Sequence, residues 1–368
     1  MHVIFSLSRY VEAPPGMFIG PIARLFGILI NFLFNIVYGI SSIHSLGFAI
    51  ILMTIVFRFL MLPLSLKSQR SMMKMREIKP ELDKIQEKYG KTKDPEIIKK
   101  MNAEKTALMA KHNANPLSGC LPMLIQMPLF FGLTFIMRQA FLYITNLRNL
   151  YHQMSSLLMS IPEIWGGSRY AEWGIMRTLA DDVVPSAMTT AATEYWHLVN
   201  FHGLSSAEAR ERVGHFIDFS LVDDVSRVLN RFTEANWTTL ETYIPANYIP
   251  QFQDLLSRLH EIEMFFGLHL VANSGWRWPG VIIPILVLVT MIPSTWLMQQ
   301  RNASANMADA AKMQARIMII VMPIMMAVFT INFPIGVGLF WITSQVFMLV
   351  QELIINRKAG IPLMQKPW

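Results

Sequence analysis

"GFAIILMTIVFRFLMLPL", residues 47–64, is an apolar stretch with a single charge, Arg58, near its middle. A bilayer core about 30 Å thick needs about 20 apolar residues in a helix. With its apolar flanks this stretch is long enough, so it predicts a membrane span. An arginine at the bilayer centre costs roughly 2.5–3.5 kcal/mol to insert, and Arg58 therefore needs a structural or functional reason.

The whole chain has the composition of a membrane protein. Of its 368 residues, 53% are hydrophobic and only 15% are charged, which leaves too few polar side chains to cover a soluble fold. A polar break at Asn332, Pro334, Gly336 and Gly338 divides the last long apolar run into two helices. We predict an all-α polytopic protein with five spans, at residues 46–66, 118–140, 278–298, 316–331 and 335–353.

The distribution of charge predicts the orientation. Residues 67–118 carry 13 Lys and Arg against 7 Asp and Glu, whereas residues 146–277 carry nine arginines, no lysine and 15 acids. Short basic loops stay in the cytoplasm, so five spans place the N-terminus outside and the C-terminus inside. The net charge of +7 is thus an effect of topology, and we predict no direct nucleic-acid partner.

The segments between the spans complete the predicted organisation. Residues 1–45 form an N-terminal segment in which a polar stripe on 17–40 favours a helix at the membrane interface over a sixth span. The external segment 141–277 has helical periodicity and predicts a helical insertion. The predicted cytoplasmic parts are 67–117, the loop 299–315 and the tail 354–368.

Residues 67–117 predict a hairpin of two amphipathic helices. Gly90 suits the end of the first helix, and Asp94 with Pro95 suits the start of the second. The alternative is a solvated, mobile loop whose charges have no specific partner.

The sequence contains no motif for covalent catalysis. His-Glu-x-x-His, Gly-x-Ser-x-Gly and the P-loop are all absent, so we predict that the protein is not an enzyme and needs no cofactor. His197 and His202 could in principle bind a metal, but no cysteine and no acidic cluster stands at ligand spacing beside them, so we predict no metal site.

Arg58 has no counter-ion within the predicted spans, where the only acidic residue is Glu352 at the end of the last one. A carbonyl or polar side chain of another span is one possible partner; water in a cavity inside the protein is the other, and we favour it. The same cavity is expected to involve Gln126, Thr290, Ser294, Asn332, Thr343, Ser344 and Gln345. An alternative function is a transporter for an anionic solute, but such transporters usually contain repeated halves, which this chain lacks.

Four blocks resemble, in order and spacing, the YidC/Oxa/Alb membrane protein insertases, in the form of Gram-positive-type bacteria. They are "TIVFRFLMLPL" (54–64), "IKPELDKIQEKYG" (78–90), "NANPLSGCLPMLIQMPLFFGL" (113–133) and "FPIGVGLFWITSQVFMLVQ" (333–351). The resemblance implies five spans around a hydrophilic groove that opens to the cytoplasm and to lipid, and a mobile hairpin required for function. By position, Arg58 matches the groove arginine and Trp341 matches the aromatic residue that lines the groove.

The resemblance also implies the function and the partners. We expect an insertase that moves nascent membrane proteins into the lipid bilayer, in association with the Sec translocon, the ribosome and the signal recognition particle pathway. The expected groove residues are Arg58, Gln126, Thr290, Ser294, Asn332, Trp341, Ser344 and Gln345. In this mechanism Arg58 pairs transiently with acidic groups of the passenger.

Overall fold

The structure is a computed structural model, and it describes residues 19–90, 94–112, 114, 121–165, 174–183, 205–213, 221–300, 313 and 317–358. The chain divides into two compact units. We call residues 1–50, 133–273 and 333–336 the cap unit, and residues 51–132, 274–332 and 337–368 the span unit. Most of the predicted loop 299–315 and the part of the tail beyond Lys358 lie outside the described residues.

The described residues are mostly helical. In chain order the helices are α1 (Ile19–Tyr38), α2 (Ser45–Glu77), α3 (Lys79–Tyr89), α4 (Pro95–Lys111), α5 (Leu121–Arg138), α6 (Ala140–Tyr143), α7 (Thr145–Met159), α8 (Gly174–Val183), α9 (Ser206–Val213), α10 (Val222–Leu229), α11 (Glu234–Glu241), α12 (Ile249–Glu263), α13 (Ile282–Gln300), α14 (Met322–Thr330) and α15 (Ile335–Lys358). A 3₁₀ turn spans Pro162–Trp165, and a π-helical turn, Ile317–Val321, precedes α14.

Helix α1 in the cap unit presents two apolar faces. Phe26, Ile30 and Phe34 are buried, whereas Ile28 and Phe32 are 66% and 61% exposed. A helix that is apolar on two faces suits the boundary between protein and lipid. Its described apolar part, Ala23–Tyr38, is shorter than a usual span, and both an interfacial helix and a sixth span remain predictions.

The core of the cap unit forms where α7 packs against α10 and α12. Leu147, Met154 and Leu158 repeat at helical spacing along α7 and are fully buried. Helix α11 begins at a capping box, in which Thr233 and Asn236 satisfy each other's backbone N–H groups.

The cap unit also contains a small β-hairpin that the sequence did not predict. Strand β1 (Met264–Phe265) pairs antiparallel with β2 (Leu268–His269). Phe266 and Gly267 form the turn between them with φ of 48° and 80°, and positive φ at both central positions is typical of two-residue hairpin turns. Two-residue strands are too short to show alternation of apolar and polar residues, so an all-α prediction misses them.

The span unit contains most of α2 and α5, with α13, α14 and most of α15. Helix α2 continues eleven residues beyond the predicted end of its span at residue 66. Helix α14 ends at Thr330 and α15 begins at Ile335, so the break in the last apolar run lies at 331–334. Helices α13 and α15 approach closely at Gly338, where an added Cβ would lie 2.2 Å from the Ile283 side chain.

Two of the described helical segments are long and apolar enough to cross a membrane, Ser45–Ser71 and Ile335–Ile355. Ile282–Met298 and Ile317–Thr330 are apolar but shorter. Exposed apolar side chains follow helical spacing along α13, at Ile285, Val289 and Ile292, as expected for a surface in contact with lipid. The count of five spans stays a prediction.

The segment between α2 and α5 folds as a helical hairpin. Asp94 accepts a hydrogen bond from the backbone N–H of Glu96 at 2.9 Å, and Gly90 takes a positive φ of 61°. Lys88 in α3 pairs with Glu104 in α4 at 3.0 Å. Neither helix buries a residue, so the hairpin has no hydrophobic core of its own.

Candidate functional site

Arg58 lies in the middle of α2 within the span unit. It is thirteen residues after Ser45, or about 20 Å along the helix axis, and its side chain is half-buried. The described part of the chain offers it neither a hydrogen bond nor an ion pair. Its neighbour Phe59 packs its ring against Phe347 of α15 at 5.2 Å. Arg58 therefore lies near the middle of α2 without a partner among the described residues.

Trp341 and Gln126 lie on helices that meet through an aromatic contact. The ring of Trp341 in α15 is 5.3 Å from that of Phe130 in α5, and Phe130 is also 5.9 Å from Phe329 in α14. Gln126 lies one turn before Phe130, and both Gln126 and Trp341 are half-buried. Phe130 was not among the predicted site residues, although it lies in the stretch "PLFFGL" (128–133), four residues after Gln126.

Ser294 and Gln345 are brought together, but in the interior. The Ser294 hydroxyl donates to Oε1 of Gln345 at 3.0 Å, and the two residues are 1% and 7% exposed. Ser344 is 2% exposed, and its hydroxyl has no hydrogen-bond partner in the described part of the chain. All three side chains lie within the packing of the helices, where a passing substrate has little access to them.

Thr290 and Asn332 differ in their local surroundings. The hydroxyl of Thr290 donates to the Leu286 carbonyl of its own helix at 2.7 Å. Asn332 is exposed in the turn between α14 and α15. Arg58, Gln126, Thr290 and Thr343 are thus the predicted polar residues that keep a half-buried side chain within a helix of the span unit.

A pair of polar contacts that the sequence analysis missed joins the later part of α2 to α15. Gln69 donates to Glu352 Oε1 at 2.8 Å, and Gln351 donates to the Ser65 hydroxyl at 2.9 Å. Ser65 and Gln69 are four residues apart and therefore share one helix face. This spacing of polar residues is the sequence signal that could have revealed the two contacts. These contacts fix the helix that carries Arg58 against the helix that carries Trp341.

The cap unit contains a cluster of titratable groups around Glu263. This carboxylate is 2% exposed, accepts a hydrogen bond from the Tyr151 hydroxyl at 2.8 Å and lies 2.9 Å from His269 Nε2. Burial raises the pKa of Tyr151 well above its usual value, and Glu263 adds to the shift. Burial alone would lower the pKa of His269, but the hydrogen bond and charge of Glu263 outweigh it and raise that pKa.

The described residues contain no group of three or more His, Cys, Asp or Glu side chains that could hold a metal ion. His197 and His202 lie outside the described residues. The Glu263 cluster is therefore best described as a hydrogen-bonded core contact.

Comparison with known proteins decides the family. Residues 37–191 and 236–361 match the family described as 60Kd inner membrane protein. The chain belongs to this family, which is the YidC/Oxa/Alb family. Its members are proteins of the cell membrane, and the span unit contains apolar helices of the kind that such a protein requires.

Relatives in the YidC/Oxa/Alb family carry the names of insertases. A protein of Oceanobacillus iheyensis named membrane protein insertase YidC is 26% identical over 92% of this chain and 82% of its own length. Membrane protein insertase MisCA of Bacillus subtilis is 38% identical over 34% of this chain and 41% of its own length. A YidC of Anaeromyxobacter dehalogenans is 39% identical over 31% of this chain, and the match spans only 20% of that relative's length.

Proposed function

We propose that this chain inserts nascent membrane proteins into the bilayer through a polar groove of the span unit. The names of the relatives support this role. The observation that carries the mechanism is Arg58, a cation at mid-depth that has no partner within the described residues. A charge that served only to hold the fold together would be expected to have a counter-ion or several acceptors.

The groove residues that we propose are Arg58, Gln126 and Trp341, which are half-buried and lie on helices joined by aromatic contacts. Ser294, Gln345 and Ser344 are proposed to fix α13 and α15 beside the groove, because they are buried. Groove roles for Thr290 and Asn332 stay predictions from the sequence.

The mechanism is physical and needs no covalent step. A hydrated groove at mid-depth shortens the distance over which a passenger's polar segment is desolvated. Arg58 pairs with acidic groups of that segment, and a low local dielectric strengthens the pairing. The apolar helix of the passenger then moves along the exposed apolar side chains of the spans into lipid, where burial of its surface drives release.

The hairpin of α3 and α4 is proposed as the receiving surface on the cytoplasmic side. An open groove between its helices is lined by charged side chains and by Ile85 and Leu108, so it offers both apolar and ionic contacts. Its proposed occupants are passengers or the machinery that delivers them, namely the Sec translocon, the ribosome or the signal recognition particle pathway.

The experiment compares variants in cells depleted of their own insertase, with paired substrates that differ only in the acidity of the translocated tail. Arg58→Ala should reduce insertion of the acidic-tail substrate about tenfold or more, because a hydrogen bond to a charged group contributes about 1.5–3 kcal/mol. The neutral-tail substrate should lose much less. Arg58→Lys keeps a cation without the planar fork and should retain partial activity.

Leu60→Ala provides the matched control, since Leu60 lies on the same helix and is 64% exposed. Any effect of this substitution on the passenger's apolar helix should be equal for the acidic-tail and neutral-tail substrates. Insertion is normalised to the amount of insertase in the membrane. An equal loss for acidic and neutral tails would contradict the counter-charge role of Arg58.

Deletion of residues 79–105 should abolish rescue while the protein still accumulates, and full rescue would reduce the hairpin to a linker.

A further inference from the structure

The start of α2 and the β-hairpin of the cap unit form a contact with unusual backbone geometry. Among the described residues, His44 and Phe266 are the non-glycine positions with positive φ, at 59° and 48°. Their rings pack against each other at 5.0 Å. A left-handed backbone is strained for a bulky residue, and such strain persists where the surroundings impose it and often marks a functional position.

Several contacts hold the hairpin rigidly at this place. The backbone N–H of His44 donates to the Glu261 carbonyl at 2.8 Å, and His44 Nδ1 lies 2.6 Å from the Met264 carbonyl oxygen. At Gly47 an added Cβ would lie 2.0 Å from the ring of Phe265, so the glycine is required for this close approach. The hairpin is therefore fixed to the first turn of α2.

This rigid base presents apolar side chains outward. Phe266 is 71% exposed at the tip of the turn, and Ile40 and Ile43 in the adjoining segment are 85% and 54% exposed. Phe48, in the first turn of α2, is 44% exposed and packs against Phe265 at 5.4 Å. We call Ile40, Ile43, Phe48 and Phe266 the hairpin patch.

The length of α2 gives the depth of the hairpin patch. The apolar residues 46–66 extend about 31 Å as a helix, which matches a hydrocarbon core of about 30 Å. The first turn of α2 then lies at the boundary between headgroups and hydrocarbon. Phe265 touches Phe48 in that turn, and Phe266 is 4.8 Å from Phe265, so the tip lies at the same boundary.

We infer that the hairpin patch inserts into the bilayer surface beside the start of α2 and anchors the cap unit to lipid. The occupant is the phospholipid boundary itself, because the patch is continuous with Phe48 on a membrane helix. Phe is one of the apolar side chains that interfacial segments bury at this boundary. The inference does not depend on insertion activity.

Spin labelling of the full chain in vesicles of phosphatidylethanolamine and phosphatidylglycerol tests the inference. Cys120 is the only cysteine, so a Cys120→Ser background allows single labels at Phe266→Cys and Ile40→Cys. Tyr243→Cys is the matched control, an aromatic residue of the cap unit that is 51% exposed. Tyr243 follows α11, and Glu241 at the end of α11 contacts Gln253 of α12. Gln253 lies about 15 Å along α12 from the hairpin.

Oxygen, which concentrates in lipid, and a water-soluble nickel chelate report the surroundings of each label. The ratio of oxygen to nickel accessibility should exceed one at positions 266 and 40 and fall below one at 243. A ratio at 266 that equals the ratio at 243 would overturn the inference. Shielding of the label at 266 from both reagents would also overturn the inference, because a protein surface would then cover the patch. This holds whether or not a second copy broadens the spectrum of the label. Position 40 lies outside the hairpin, so a disturbed turn at 266 still leaves a decisive measurement.

Discussion

Arg58 and Glu263 are both charged side chains partly or wholly withdrawn from water, and they differ in what surrounds them. Glu263 in the cap unit is 2% exposed and has Tyr151 and His269 within hydrogen-bonding distance. Arg58 in the span unit is half-buried and has no hydrogen bond or ion pair in the part of the chain that the structure describes. One charge is satisfied by the fold, and the other is left available.

The difference separates a structural charge from a functional one. Removing a partner from a buried ion pair is strongly destabilising, because the other charge stays buried and uncompensated. Removing a charge that has no partner relieves a desolvation cost. The same kind of substitution should therefore lower stability at Glu263 and leave it unchanged or raised at Arg58.

Glu263→Ala should give the largest effect. The substitution leaves the Tyr151 hydroxyl and His269 without their shared acceptor, and breaking a buried pair costs about 3–5 kcal/mol. The temperature at which trypsin cleaves the cap unit in membranes should fall by many degrees. Arg58→Ala, measured by thermal unfolding of the full chain in detergent, should show no decrease.

Glu261→Ala is the control for that comparison. Glu261 lies on the same helix, is exposed, and contacts Ser42 through its side chain, so its loss should change the cleavage temperature little. Similar losses for Glu261→Ala and Glu263→Ala would remove the distinction between the two sites.

Ser294 and Ser344 allow a smaller and cleaner comparison within the span unit. Ser294→Ala leaves the buried Oε1 of Gln345 without its donor, which costs about 1–3 kcal/mol. Ser344→Ala removes a buried hydroxyl that has no partner among the described residues, and it should be neutral or stabilising. Thermal unfolding in detergent distinguishes them, and a larger loss for Ser344→Ala would show that this hydroxyl has a partner.

The sequence predicted the features that depend on local chemistry. Asp94 and Gly90 define the ends of the hairpin helices through their own backbone preferences, and the structure confirms both. The break near Asn332 and Pro334 is likewise local. Membership of the YidC/Oxa/Alb family, read from four blocks of residues, is confirmed.

The features that depend on distant residues could not be predicted. A serine or glutamine in a span can face water or a neighbouring helix, and sequence does not distinguish the two; Ser294 and Gln345 face each other. The turn at Phe266 is also unpredictable, because Phe disfavours positive φ and the hairpin that requires it packs against a distant residue, His44. Arg58 was recognisable because the spans contain no acid that could pair with it at mid-depth.

The smallest expected effect is the response of the cap unit to pH. Its folded state raises the pKa of His269 above the ordinary value of 6.5, so folding favours the protonated imidazole. The resulting stability is fully present below the unfolded pKa and is lost as pH rises through the folded pKa. The cap unit should therefore resist trypsin better at about pH 6 than at about pH 8.5.

His269→Gln keeps a neutral donor near Glu263 and cannot titrate, so it should lose this pH difference, whereas His260→Gln should retain it. Because protease activity itself varies with pH, each variant is compared with the wild type at the same pH, and an unchanged pH difference in His269→Gln would show that the raised pKa does not stabilise the cap unit.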